Sequence, residues 1–324
     1  MKYEVAVNSA IGARSSNQDR AEWTSRDNAA LFVLADGLGG YDGGEVAAEA
    51  FVNSVLRSFE SVLTPTIPDP HAFIVMSTLH GHRTVNRVAR LKGYNETAPR
   101  TTSVICIVQN GYAYWGHVGD SRLYHWSNDR IQSRTADHTT TEKLRKAGYI
   151  SEDDMRKSAN QGPLVRCVGG PRRPVVTLGT EVRLETNDML LLCSDGIWRA
   201  MEIERIYQTL RGNDLTPAVA ELLSKSEKAM KRTCDNVTAI AVRWDDKPSL
   251  SHPVNPPGYS SAEQAQLWDD QWRQAQERRA SRHDKARENP NYYSDSFLLK
   301  EIEEMDQQLS EFEDYLNQFG TGNK

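Results

Sequence analysis

The sequence predicts an α+β fold in which antiparallel sheets are covered by helices. Three observations lead there. Short apolar or alternating runs follow one another closely through residues 3–244, two long stretches carry apolar residues at helical spacing, and Asn110-Gly111 joins two adjacent runs. Strands in hairpin order with helices inserted between them define that class.

Taken in order, strands are expected over 3–8, 21–25, 31–35, 103–109, 112–118, 122–126, 177–184, 189–193 and 237–244. Runs such as Tyr112-Ala113-Tyr114-Trp115-Gly116-His117-Val118 alternate or stay apolar over five to seven residues, as half-buried or buried strands do. The Asn110-Gly111 dipeptide predicts a tight hairpin, because both central residues of a type I′ turn need positive φ. A first helix follows Gly43-Gly44. There Val46, Ala47, Ala50, Phe51, Ser54, Val55 and Phe59 recur at helical spacing until Thr64-Pro65 stops the run. A second helix is expected over 70–92, its buried stripe marked by Phe73, Ile74, Leu79, Val85, Val88 and Ala89. No internal repeat is visible.

The chain divides near residue 246, giving a domain over 1–246, a Pro-, Ser- and Asn-rich linker over 247–261 and a helical extension over 262–324. The extension begins with a helix, 262–287, that is basic in its second half. Beyond Asn289-Pro290-Asn291, residues Leu298, Ile302, Met305, Leu309, Phe312, Leu316 and Phe319 keep a 4-3-4-3-4-3 spacing, the a/d pattern of a coiled coil. Between Leu298 and Phe319 one basic residue stands against seven acidic ones. The basic and acidic helices are able to fold back on each other, to pack on the domain, to self-associate or to bind a partner; three heptads alone are marginal.

Net charge is −5 over 324 residues, which gives no support to nucleic-acid binding. No run reaches the roughly 18 apolar residues that span a bilayer, and the first residues lack the apolar core of a secretory signal. Cys106, Cys167, Cys193 and Cys234 show no Cys-x-x-Cys spacing. They read as small buried hydrophobes in a reducing compartment, so a cytoplasmic location is expected.

The chemistry concentrates in five separated segments, each with an acidic residue in turn-like or strand-end context. They are Arg14-Ser15-Ser16-Asn17-Gln18-Asp19, Ala35-Asp36-Gly37-Leu38-Gly39-Gly40, Val118-Gly119-Asp120-Ser121-Arg122, Cys193-Ser194-Asp195-Gly196 and Cys234-Asp235-Asn236. One Asp-Gly on its own usually does no more than start a turn. Several carboxylates brought together repel one another and need cations or raised pKa values to coexist. An all-oxygen donor set suits Mg²⁺ or Mn²⁺ and not zinc or copper.

In this order the segments resemble the signature blocks of the metal-dependent serine/threonine protein phosphatases, type 2C, and in particular the compact bacterial members. The resemblance covers roughly residues 3–244, including the weaker blocks Asp137-His138-Thr139, Gly148-Tyr149-Ile150 and Leu164-Val165-Arg166-Cys167-Val168-Gly169. It implies a four-layer α-β-β-α sandwich of two antiparallel sheets flanked by helices, with a metal centre at one end. By that resemblance Asp36 bridges two metals, Gly37 adds its carbonyl, Asp195 and Asp235 hold one ion, and Asp19 holds water near it. Asp120 helps Asp195 to hold a third, weaker ion. Arg14 receives the substrate phosphate, while Gln18 and Asn236 lie just behind the ligands.

The implied cofactors are two Mn²⁺ or Mg²⁺ ions, and the implied reaction is attack on phosphorus by hydroxide made from water between them. The implied partners are a phosphoprotein substrate and a cognate serine/threonine kinase, with no nucleic acid and no membrane insertion. Leu38 stands where many eukaryotic members have a histidine, and Gln18 where an acidic residue often stands. Residues 139–162 resemble the region from which the family's mobile flap arises. His117 and His138 read as hydrogen-bonded structural histidines. Competing readings are a catalytically silent partner-binding module on the same fold, and a hydrolase of small phosphoesters.

Overall fold

The computed structural model describes residues 1–247 apart from 27, 39–42, 96–98, 159–163 and 213. The predicted linker from 248 onward and both C-terminal helical stretches lie outside the described residues. Residues 1–61 and 65–253 belong to one unit, and the architecture below is that of its described part.

Hairpin order builds two antiparallel sheets. The first runs β1 (Tyr3–Ala10), β13 (Val237–Trp244), β12 (Met189–Cys193), β7 (Arg122–Ser127), β8 (Arg130–Arg134). The second runs β10 (Thr177–Leu178), β6 (Tyr112–Val118), β5 (Ser103–Gln109), β3 (Ala29–Asp36), β2 (Asp19–Arg26), and β11 (Val182–Arg183) also pairs with β6. A short ladder joins β4 (Arg100–Thr101) to β9 (Val168–Gly169).

The two-residue side-chain period of a strand assigns each face. On β12, Leu190 and Leu192 point between the sheets, where they meet Phe32, Leu34, Val104, Cys106, Leu123 and Ile240. Leu191 and Cys193 point the other way, onto Ile206, Leu210, Val219 and Leu222. Burying a leucine this fully contributes about 2 kcal/mol. The outer layer on the first sheet is α5 (Asp195–Trp198), α6 (Ile203–Leu210) and α7 (Leu215–Met230). Over the second sheet lie α1 (Gly44–Ser61) and α2 (Pro70–Leu91). The result is the expected four-layer sandwich. Two short helices, α3 (Thr140–Lys146) and α4 (Glu152–Lys157), follow β8. No helix among the described residues is long and apolar enough to cross a membrane.

Several local expectations hold for their stated reasons. Asn110 and Gly111 take φ of 53° and 78°, and β5 pairs with β6 around them. Helix α2 starts where the Asp69 side chain accepts from Ala72 N at 2.9 Å and Pro70 occupies the first turn, where its missing N–H costs nothing.

Three expectations need correction. The strand expected over 177–184 is two short ones, because Gly179 passes against Trp115: a Cβ there would lie 2.0 Å from the indole nitrogen. The polar, mostly exposed β8 was not expected; it pairs with β7 through a turn in which Asn128 and Asp129 both have positive φ. Only two long helices were expected before residue 246, yet α7 spans 16 residues. Its buried Leu215, Ala218, Val219, Leu222, Leu223 and Ser226 are spaced as a helical stripe.

Candidate metal centre

Antiparallel register gathers the aspartates. Asp36 ends β3 and Asp19 begins β2, and the two are direct partners across the ladder. Asp120 follows the end of β6 and precedes β7, whose first residue, Arg122, pairs with Cys193 at the end of β12. Asp195 then opens α5, and Asp235 lies just before β13. Five segments far apart in sequence thus deliver their carboxylates to one end of the sandwich.

The backbone there is closely fitted. Gly37 N–H donates to Gln18 O at 3.1 Å, and a Cβ on Gly37 would stand 2.4 Å from Gly44. Asp36 N–H donates to Thr102 Oγ1 at 2.9 Å, Thr102 N–H returns a bond to Asp36 O at 2.8 Å, and Ser121 Oγ holds the Thr102 hydroxyl at 2.7 Å. Asn236 ties down the loop that carries Arg14: its Nδ2 donates to Ile11 O and Ser16 O at 2.8 and 3.0 Å, and its Oδ1 accepts from Gln18 N at 2.9 Å. Gln18 Nε2 donates to Glu45 at 3.1 Å. Gly12, at φ +63°, lets that loop lie on Asp235; a Cβ there would come within 2.1 Å of the Asp235 carbonyl oxygen.

The electrostatics are those of crowded, like-charged acids. Burial pushes the Asp19 carboxyl up to about 6, against the stabilising hydrogen bond from Ser194. Asp120 rises to about 8 through burial and the charge of Asp195. Asp36 is held well above the usual carboxylate range by burial, then by Asp19 and Asp195, and Asp195 is raised by burial, then by Asp235. Arg14 moves up through its hydrogen bond to Asp235.

These groups have protein partners. Arg14 Nη2 donates to Asp235 Oδ2 at 2.6 Å, Arg199 Nη1 to Asp195 Oδ2 at 3.2 Å, and Ser194 Oγ to Asp19 Oδ2 at 2.7 Å. Among the described residues, no three His, Cys, Asp or Glu side chains are disposed to hold an ion as they stand. The ladder pairing of Asp36 with Asp19 and the charges that Asp19, Asp120, Asp195 and Asp235 exert on Asp36 nonetheless put these carboxylates within electrostatic reach of one another. Asp19 Oδ1 is the telling atom. It is buried and has no hydrogen-bond partner, although the Thr238 hydroxyl is near enough to favour the ionised form of Asp19. A buried acceptor left open within an all-oxygen donor set fits a hard divalent cation.

Behind Asp120 stands Arg122, only 2% exposed. It makes two 2.8 Å bonds to Asp137, reaches Tyr124 OH and Glu152 at 2.9 Å, and stacks 3.7 Å from the Trp198 ring. Trp198 Nε1 donates to Asp120 O at 3.0 Å. Glu142 and Glu152, on α3 and α4, join the same network through Arg134 and Arg145.

His117 and His138 stack with centroids 4.6 Å apart. His138 Nδ1 accepts from Gly119 N at 3.1 Å, and burial lowers its pKa to about 3. It is a neutral clamp on the turn before Asp120.

The sequence matches the family model described as Protein phosphatase 2C over residues 8–238, well over half its length. The chain belongs to the protein phosphatase 2C family. It is a protein phosphatase of that family's bacterial type. The serine/threonine phosphatase stp of Listeria monocytogenes serotype 4b is 25% identical over 236 residues, covering 72% of this chain and 92% of the relative. PhpP of Streptococcus pneumoniae is 23% identical over 251 residues, covering 75% and 98%. Stp1 from Staphylococcus aureus shares the fold with TM-score 0.69 and 23% identity over 76% of this chain and 96% of that one. The catalytic domain of PstP, whose structure contains two manganese ions, aligns with TM-score 0.64 and 23% identity over 75% and 99%.

The phosphatase also contains site residues to which the sequence reading gave no role. Ser194 holds Asp19, Arg199 holds Asp195, and Thr102 with Ser121 fixes Asp36. Of these, Arg199 left a signal, since it stands four residues after Asp195 at a helix start, the spacing of an i,i+4 ion pair.

Proposed function

We propose that this phosphatase hydrolyses phosphoserine and phosphothreonine in proteins and so reverses a serine/threonine kinase. Two Mn²⁺ or Mg²⁺ ions would be held by Asp19, Asp36, the Gly37 carbonyl, Asp195 and Asp235, with Asp120 and Asp195 serving a third, weaker site. The observation that carries this reading is the delivery of five carboxylates by five strand ends to one end of the sandwich, with Asp19 Oδ1 buried and open. Divalent ions bound there supply Lewis acidity toward phosphoryl oxygens and make water nucleophilic at neutral pH. Four cysteines without disulfides support a cytoplasmic location.

The chain's own residues do the remainder. Arg14, half exposed beside Asp235, presents a planar fork to the phosphate oxygens. Asn236 and Gly12 keep its loop against the carboxylates, and Thr102 and His138 fix the backbone that carries Asp36 and Asp120. Leu38 offers no proton, so protonation of the departing serine or threonine oxygen falls to water.

The ion pairs Arg14–Asp235 and Arg199–Asp195 favour a silent binding module, because they occupy expected ligands. The magnitudes decide against it. Side-chain exposures of 52% and 28% for Arg14 and Asp235 make theirs a surface pair worth about 1 kcal/mol at most, which a divalent ion displaces easily. The test is turnover of phosphoserine and phosphothreonine peptides, nucleotides and sugar phosphates with Mn²⁺ and with EDTA. Release of phosphate from peptides in Mn²⁺ alone is expected. No turnover of any compound would establish the silent module, and a preference for the small esters the third reading.

A further inference from the structure

We infer that a basic rim beside the carboxylate cluster selects phosphopeptides with acidic residues next to the phosphorylated one; this rests on the proposed phosphatase reading. The chain as a whole is acidic, yet between Asp154 and Glu181 lie five basic residues and no acidic one. Arg156 and Lys157 are neutralised by Asp153. Arg166 and Arg172 are different: among the described residues neither makes an ion pair or a hydrogen bond, and Arg172 is exposed.

The backbone places residues 164–172 beside the site. At one end Leu164 bridges Thr139 and Val165 N–H donates to His138 O at 2.8 Å, and His138 clamps Gly119, the neighbour of Asp120. The Arg166 charge is felt at His138. At the other end Gly169 pairs with Arg100, whose carbonyl accepts from Leu38 N at 3.0 Å, two residues from Asp36. The segment therefore runs from the Asp120 side to the Asp36 side of the cluster, with Arg166 between the two and Arg172 just beyond.

Unpaired guanidinium groups beside the site attract carboxylates and repel lysines and arginines. The five aspartates alone would do the reverse, so the rim inverts the charge preference of the centre it borders.

The test uses the full chain in Mn²⁺ with two phosphothreonine peptides that differ only in glutamate or lysine at the flanking positions. Wild type is expected to favour the glutamate peptide in kcat/KM by about tenfold, a preference that shrinks as salt is added. The double variant Arg166→Glu/Arg172→Glu should lose or invert it. An equal rate on both peptides, a preference indifferent to salt, or one retained by the variant overturns the inference. Should that variant not fold, Arg172→Gln and the salt series on wild type still decide. Hydrolysis of p-nitrophenyl phosphate by wild type separates the two levels: without it the phosphatase reading itself fails, and with it only the charge selection is at stake.

Discussion

Arg14 and Asp235 lie 221 residues apart in sequence and meet at 2.6 Å, which puts the expected phosphate receiver on the expected metal ligand. The proposed phosphate site and the proposed metal site would thus form one electrostatic unit. Replacing Arg14 by lysine keeps the charge and removes the fork. The variant Arg14→Lys is expected to lose about a hundredfold in kcat/KM on phosphopeptides while keeping its melting temperature. Steady-state kinetics beside a thermal melt checks this, and a loss under threefold would remove Arg14 from phosphate binding.

Asp36 partners Asp19 across the β2–β3 ladder and carries the most strongly raised carboxyl of the pair. The variant Asp36→Asn should bind Mn²⁺ at least about tenfold more weakly by calorimetry, in line with losing a charged ligand, and should show no measurable turnover. Phosphopeptide hydrolysis at the wild-type rate would take Asp36 out of the metal centre.

A pH dependence follows from the raised acids. For Asp19 and Asp120 the native carboxyls sit near 6 and 8, against 3.8 in the free group. The native state therefore retains protons that the unfolded chain gives up. That contribution to stability is complete below about pH 4 and disappears as pH rises through 6 and 8. In EDTA, the melting temperature should fall from about pH 5.5 to about pH 8.5. Added Mn²⁺ should raise it more at the higher pH, because protons and metal compete for the same oxygens. A melting temperature that climbs across this window in EDTA would refute the assignment of these acids.

The buried Arg122 makes a separate, structural prediction. Its removal strands Asp137, whose side chain is 0% exposed. The variant Arg122→Met is expected to lose about 3–5 kcal/mol of stability in urea unfolding, and Arg122→Met/Asp137→Leu to regain part of it, because the second change removes the uncompensated charge. A double variant no more stable than the single one would contradict this account.

The sandwich was legible where local chemistry and tertiary demand agree. Asn110-Gly111 needs positive φ whatever surrounds it, and the runs ending near Asp36 and Cys193 are apolar because both faces are covered. Strand β8 was not legible: Arg130-Ile131-Gln132-Ser133-Arg134 has no apolar period, and only its pairing with β7 makes it a strand. Helix α7 could have been found from its stripe. At the centre, the aspartates were readable as a set in order. Their present partners were not, since nothing in one sequence says that Arg14 meets Asp235 or that Ser194 turns toward Asp19. The basic and heptad-bearing stretches over 262–319 fall outside the described residues, so the interaction expected of them stays an expectation.

The pairing of Tyr3 with Trp244 and of Ala10 with Val237 has a practical side. The first and last strands of the sandwich are neighbours, so the polypeptide enters and leaves it at adjoining points. Both points are one strand length, roughly 25 Å, from the chemistry. An affinity handle or fluorescent label attached at either point starts well clear of incoming substrate. A circular permutant that joins the two points could be opened at a surface turn such as Asn128-Asp129 with the aspartate cluster left in place.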